Sequence, residues 1–299
     1  MSASAMPGRR RLSSGQILAW AILLAMLALT LAPLWMMVKT ALISPDDVFV
    51  DSANWLPSGI TFNNVLRVLG LADSGSGSIG VSAASIDFSR ALLNSVMFTG
   101  IIVVCQTTCA AMSAYAFARL DFPGNKLIFA LFLGSMMVPG VVTFIPNFIL
   151  IKDLGWLNTL QGMVAPFCLM QGFSVFFLRQ FFLAVPRELE EAARLDGATH
   201  WFIFRRVVLP LSVTPLVTIA VLTGINMWNE FFWPYLVSKD EAWQVLPLAL
   251  QTFKSQSPNG QPDWTGLMAA ASITMVPTVL LLLFMGRRVV ESVAFSGGK

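Results

Sequence analysis

Charged residues are spread very unevenly along this chain. Cutting it at each of them leaves six long charge-free windows: Leu12–Val38, Ala91–Ala118, Leu127–Ile151, Leu154–Leu178, Val207–Asn229 and Trp264–Gly286. Each exceeds the ~20 residues that a helix needs to cross a hydrocarbon core. A segment in lipid must satisfy its own backbone hydrogen bonds, and a helix does so. The pattern predicts an all-α membrane protein with six transmembrane helices. Pro139, Pro146, Pro166, Pro234 and Pro277 fall inside or at the ends of these windows, where each removes a helix donor and bends or breaks the span.

Between the fourth and fifth windows the pattern changes. Residues 187–215 read RELEEAARLDGATHWFIFRRVVLPLSVTP, a charged island between two apolar stretches. Pro186 suits a first helical turn, and Glu188, Glu190 and Glu191 place negative charge at the positive end of the helix dipole. Leu189, Ala192, Ala193 and Asp196 recur at helical spacing, a narrow face with two small residues against which another protein can lie close. Gly197 is expected to end this helix in a left-handed conformation. A second helix, Thr199–Leu209, carries Phe204 and Val207 one turn apart, and Pro210 leads back into the membrane. About 20 ordered residues are more than a simple connection needs. The island is therefore expected to present itself to a partner in water.

Composition agrees with the membrane reading. The chain is 56% hydrophobic and 12% charged, with a mean hydropathy of +0.72, which excludes an ordinary soluble domain. With six spans both termini share a side. That side carries Arg9–Arg11, the Arg119 and Lys126 turn, the island and the C-terminal Arg287 and Arg288. The opposite side has fewer basic residues, so both termini are predicted to be cytoplasmic. The net charge of +3 follows from this bias and needs no nucleic-acid partner. The first window is too long for a signal-peptide core of ~7–15 residues and reads as a retained anchor. The expected organisation is an N-terminus and first helix over 1–38, and an external segment over 39–90 with a Gly/Ser-rich loop. A five-helix core follows over 91–286, including the island at 186–210, and then a cytoplasmic tail over 287–299.

Few residues offer chemistry. Cys105 and Cys109 lie one helical turn apart inside a span without a nearby His or carboxylate, which reads as small buried apolar residues and no metal site. His200, the only histidine, has no fixed partner in the sequence and is given no catalytic role. No G-x-x-x-x-G-K-[ST] phosphate loop is present, so this chain is not expected to hydrolyse ATP. No charge sits deep in a window, which disfavours a carrier driven by proton-relay carboxylates. Polar candidates for a translocation pathway are Asn94, Gln106, Thr107, Asn147, Asn226, Asn229 and Glu230. Each is expected first as a helix–helix hydrogen-bonding residue and only second as a substrate ligand.

The string EAARLDGA (Glu191–Ala198), followed by Leu209-Pro210, resembles the EAA loop of permease subunits of ATP-binding-cassette (ABC) importers. AYAFARLDFPG (114–124), MVPGVVTFIPNFIL (137–150), LGWLNT (154–159), WNEFFWP (228–234) and DWTGLMAA (263–270) resemble the carbohydrate branch of that family, in particular its maltose-permease (MalG-like) subunit. The resemblance runs from about Trp55 to the C-terminus and implies a type I importer permease in the bacterial plasma (inner) membrane. It implies that Glu188, Glu191, Ala192, Ala193, Asp196, Gly197, Ala198, Phe204 and Pro210 couple the chain to an ATPase. The implied partners are a second, MalF-like permease subunit, an ATPase dimer, an external solute-binding protein and a sugar substrate. ATP and Mg would act in the ATPase, and no cofactor is bound by this chain.

Two departures stand out. Family members commonly have proline where Thr214 stands here, and Pro215 follows it instead, which is expected to shift the start of the fifth span. The Gly/Ser-rich stretch before Phe88 is longer than usual for sugar permeases, and glycerol-phosphate permeases of the same branch carry a polar stretch there. An sn-glycerol-3-phosphate importer thus stays open beside a di- or oligosaccharide importer. An ion-coupled secondary transporter and a structural membrane anchor are rivals of other classes, and neither explains the island.

Overall fold

A computed structural model describes residues 13–50, 54–72, 87–169, 171–251, 253 and 262–297, with side chains to residue 286. Arg9–Arg11, the Gly/Ser-rich stretch 73–85, Pro258 and the side chains of the predicted tail lie outside the described residues. Every regular element among the described residues is helical.

Three helices are long and apolar enough to cross a membrane: α1 (Ser14–Ala41), α3 (Phe88–Arg119) and the apolar part, Trp264–Gly286, of the final helix α14 (Trp264–Gly297). The other three windows are each broken. Helix α4 (Asn125–Ser135) meets α5 (Gly140–Asp153) at 97°. Helix α6 (Leu160–Cys168) meets α7 (Gly172–Ala184) at 45°, and the segment His200–Leu211 meets α11 (Val213–Trp228) at 80°. The chain therefore has three clear spans, and six if each bent pair counts as one.

The breaks have local causes. Pro139 caps α5 with an extended backbone (ψ 131°), so α4 cannot run on through it. Pro146 and Pro166 lie within α5 and α6 without ending them. At the third break Ser212 (φ −113°, ψ 24°) leaves helical geometry, and Pro215 falls in the first turn of α11, where its missing N–H costs nothing. Thr214 in place of a proline thus goes with a sharp bend one residue before α11.

The described residues form two compact units, those within 1–83 and 256–272, and those within 84–255 and 273–299. In the first, Asn64, on the short helix α2 (Asn63–Val68), donates its amide to Ala41 O (3.0 Å) and Ile43 O (2.8 Å). These carbonyls at and beyond the end of α1 would otherwise lack partners. Lys39 Nζ donates to Asn54 O at 2.6 Å. Asp263 is wholly buried, pairs with Arg67 and accepts from Gly266 N–H at 2.8 Å, an N-cap for α14.

The second unit is built around α3. Ala110, Ala111 and Ala114 are buried in one cluster with Val175 and Leu178 of α7 and Ile219 of α11. Small residues let membrane helices approach closely, and a Cβ on Gly224 of α11 would lie 3.6 Å from Val103. A second cluster gathers Phe98, Ile102, Met163 and Trp233, the last donating its indole N–H to Gly162 O (3.2 Å) and Met163 O (3.1 Å). Asn158, in a left-handed conformation (φ 55°), accepts at Oδ1 from Lys239 N (2.6 Å) and Asp240 N (3.1 Å).

Candidate functional site

The island folds as two helices with a reversal between them. Helix α8 spans Arg187–Leu195, with Pro186 just ahead of it and Glu188 and Glu190 in its first turn. Gly197 has φ +81°, and its N–H donates to Arg194 O (2.9 Å) while that of Ala198 donates to Ala193 O (2.9 Å). These two bonds satisfy carbonyls at the end of α8 in the manner of a glycine C-cap. Thr199 then caps α9 (His200–Ile203), its hydroxyl accepting from Phe202 N at 3.3 Å. The helical path continues through a π-turn at Phe204–Val208 to α10 (Leu209–Leu211). A π-turn places the following side chains out of register with a plain helix, and Phe204 is turned into the core while Arg205 and Arg206 stay exposed.

The predicted residues divide into two groups. Glu188, Glu191, Ala192, Asp196, Gly197 and Pro210 are exposed. Ala193 and Ala198 are half-buried and pack against the α3–α7 core. Phe204 is buried with its ring 5.1 Å from that of Tyr115 and 5.5 Å from that of Trp201. Leu195 (90% exposed), Trp201 (60%), Phe202 and Leu189 join the exposed acids. The outward surface thus mixes these acids with exposed Arg187, Arg194, Arg205 and Arg206 and with apolar side chains, a composition that suits a protein partner better than water alone.

Two residues central to this arrangement, Glu190 and Arg119, stood out in the sequence only for their charge and not as site residues. Glu190 is 3% exposed, and its Oε1 lies 2.7 Å from Nε of Arg119, the last residue of α3. The Nε–H is not aimed at that oxygen, so the contact is an ion pair rather than a directed hydrogen bond. Arg119 Nη2 also donates to Phe182 O (2.7 Å) and Val185 O, at the C-terminal end of α7. Arg194 approaches Glu190 Oε2 at 4.0 Å from an exposed position. Glu190 shares a helical face with half-buried Ala193, a spacing that could have marked it as inward-facing.

The pathway candidates differ in burial and in hydrogen-bond partner. Asn94 is buried, and its amide donates to Ala242 O and Gln244 O, each at 3.0 Å. Gln106 Oε1 accepts from Thr223 Oγ1 at 2.9 Å, within the helix bundle. Thr107 Oγ1 is buried without a hydrogen-bond partner. Asn147 is half-buried and Asn226 exposed. Asn229 is exposed and returns its amide to Ile225 O (2.7 Å), while Glu230 Oε1 accepts from Trp233 N (3.0 Å). Cys105, Cys109 and Cys168 are free thiols.

The family described as binding-protein-dependent transport system inner membrane component matches residues 106–294, which contain the whole island. The chain belongs to this family. It is 32% identical over 287 residues to the probable ABC transporter permease protein YurM of Bacillus subtilis (strain 168), covering 96% of this chain and 89% of that one. It is 35% identical over 206 residues to the arabinooligosaccharides transport system permease protein AraQ of Halalkalibacterium halodurans, covering 69% of this chain and 72% of that one. Identity to the sn-glycerol-3-phosphate transport system permease protein UgpE of Yersinia pestis bv. Antiqua is 32% over 260 residues, 87% of this chain and 89% of that one. In fold it is similar to a chain in the crystal structure of a bacterial ABC transporter involved in the import of the acidic polysaccharide alginate. That likeness has a TM-score of 0.74 at 23% identity and covers 94% of this chain and 99% of the other.

The protein is accordingly a multi-pass inner-membrane permease subunit of an ABC-type solute importer. Its part is translocation rather than hydrolysis. ATP and Mg act in a separate ATPase subunit, alongside a permease pair and a solute-binding protein.

Proposed function

We propose that this chain is one half of the translocation pore of a sugar importer, with a di- or oligosaccharide as its substrate. The island 186–210 is its coupling lever. The observation that carries the reading is the left-handed Gly197, which folds α8 and α9 into a compact projection and leaves Glu188, Glu191 and Leu195 outward. Glu188, Glu191, Ala192, Asp196 and Gly197 meet the ATPase, while Ala193, Ala198, Phe204 and Pro210 shape the lever from within. Closure of the ATPase dimer around ATP moves this projection, and the bent spans switch access from one side of the membrane to the other.

Placement of Lys and Arg supports cytoplasmic termini and a cytoplasmic island, with residues 39–90 outside. Residues 91–286 are the permease core, and 287–299 the tail. The partner permease is of the MalF-like kind. Asn94, Asn147, Asn226, Asn229 and Glu230 are the candidate polar contacts of the pathway. A second reading rests on the long stretch of similarity to a glycerol-3-phosphate permease: the substrate is then a phosphorylated polyol.

ATP hydrolysis by the purified complex with its binding protein tests both readings. The ligand panel spans disaccharides, oligosaccharides and sn-glycerol 3-phosphate. Stimulation by a saccharide is expected. Stimulation by glycerol phosphate alone selects the second reading, and stimulation by none overturns both.

A further inference from the structure

Helix α3 is gripped at both ends by side-chain contacts that its sequence neighbours do not require. At one end Arg119 ties it to α8 through Glu190 and to the C-terminus of α7 through Phe182 O and Val185 O. At the other, Asn94 donates to Ala242 O and Gln244 O, and Ser95 Oγ accepts from Leu246 N at 2.7 Å. Roughly 37 Å of helix separates the two grips. The island and the segment 240–246 therefore sit on opposite ends of one continuous rod, which no proline interrupts.

We infer that Arg119 and Glu190 form a positioning joint that passes motion of the coupling helix into α3 and, through Asn94 and Ser95, to the loop 240–246 on the opposite side of the membrane. Covalent connection alone cannot do this, because α8 leads through α9 into α11 and is separated from α3 by two bent spans. The joint suits the task for three reasons. Both side chains are nearly excluded from water, 3% and 4% exposed, so salt screens the pair little. Separating it would leave a buried charge uncompensated, so the two elements move together rather than slip. Arg119 is also held by two carbonyls at the negative end of α7, which fixes the guanidinium whichever way α8 is pulled. Glu190 faces away from the exposed Glu188 and Glu191, so one helix offers a docking surface and an anchor on different sides.

This inference rests on the importer reading, and its test separates the two. Hydrogen exchange is followed in the assembled complex, with and without ATP plus vanadate, at the amides of 187–211 and of 240–246. The wild type is compared with Glu190→Gln and Glu190→Asp. In the wild type nucleotide is expected to alter exchange in both segments. Glu190→Gln keeps the response at the island and loses it at 240–246, and uptake per ATP hydrolysed falls about tenfold. Glu190→Asp, which retains the charge, keeps both responses. A 240–246 response undiminished in Glu190→Gln overturns the joint. Loss of the ATPase from the Glu190→Gln complex also overturns it, since the pair would then serve assembly alone. A wild-type island that ignores nucleotide overturns the importer reading beneath it.

Discussion

Arg67 and Asp263, 196 positions apart, form a two-point ion pair, Nη1–Oδ2 at 2.6 Å and Nη2–Oδ1 at 3.2 Å, with the carboxylate wholly buried. The pair fixes α2 against the start of α14, and Thr265 Oγ1 and Gly266 N complete the coordination of the carboxylate. Removing one partner of a buried pair strands the other. Asp263→Asn is expected to cost about 3–5 kcal/mol, read as a lowered Tm of the purified complex. Gly266→Ala acts on the same place, since its Cβ would stand 2.7 Å from Asp263 Oδ2. An unaltered Tm in Asp263→Asn would mean that Arg67 relaxes to solvent without loss.

Gly197→Val isolates backbone geometry from contacts. A Cβ there meets nothing within 4 Å, but φ is +81°. Left-handed geometry costs an ordinary L-residue about 1–2 kcal/mol, and a β-branched one more. The variant should assemble, keep hydrolysing ATP and lose uptake, which paired hydrolysis and uptake assays on one preparation would show. Unchanged uptake would remove the lever from the mechanism.

Asn158 combines a left-handed backbone with a double acceptor at Oδ1. Asn158→Gly keeps the backbone at ease and deletes the acceptor, leaving the Lys239 and Asp240 amides without it. A loss of about 1–3 kcal/mol is expected, seen as faster hydrogen exchange at those two amides. Asn158→Asp retains the acceptor and should exchange as the wild type does.

Thr223→Val probes whether the buried Thr223–Gln106 contact serves packing or passage. Interhelical hydrogen bonds in membranes average about 0.6 kcal/mol, so a packing role predicts a small change in Tm and near-normal uptake. A large fall in uptake with an unchanged Tm would put Thr223 on the pathway.

Residue order alone determined a good deal. Window length demands helices in lipid, because backbone groups there have no water to bond. Gly197 marked the reversal and Pro186 the start of α8, since φ and donor restrictions act through a residue and its neighbours. These features are local, so they were legible.

What the tertiary structure decided is how those local pieces meet. Window composition does not show where the spans break, since it stays apolar across each bend: Pro139 marks one break, while Pro146 and Pro166 lie inside helices that continue past them. Three glutamates crowd the start of α8, and about 100° of rotation separates each residue from the next. Which one turns inward depends on what waits there, and Arg119, at the end of a helix far away in sequence, selects Glu190. Asn94, a polar residue whose partner the sequence left open, holds the carbonyls of Ala242 and Gln244. A buried polar side chain takes whichever partner the packed fold brings within reach, and that choice is made only in three dimensions.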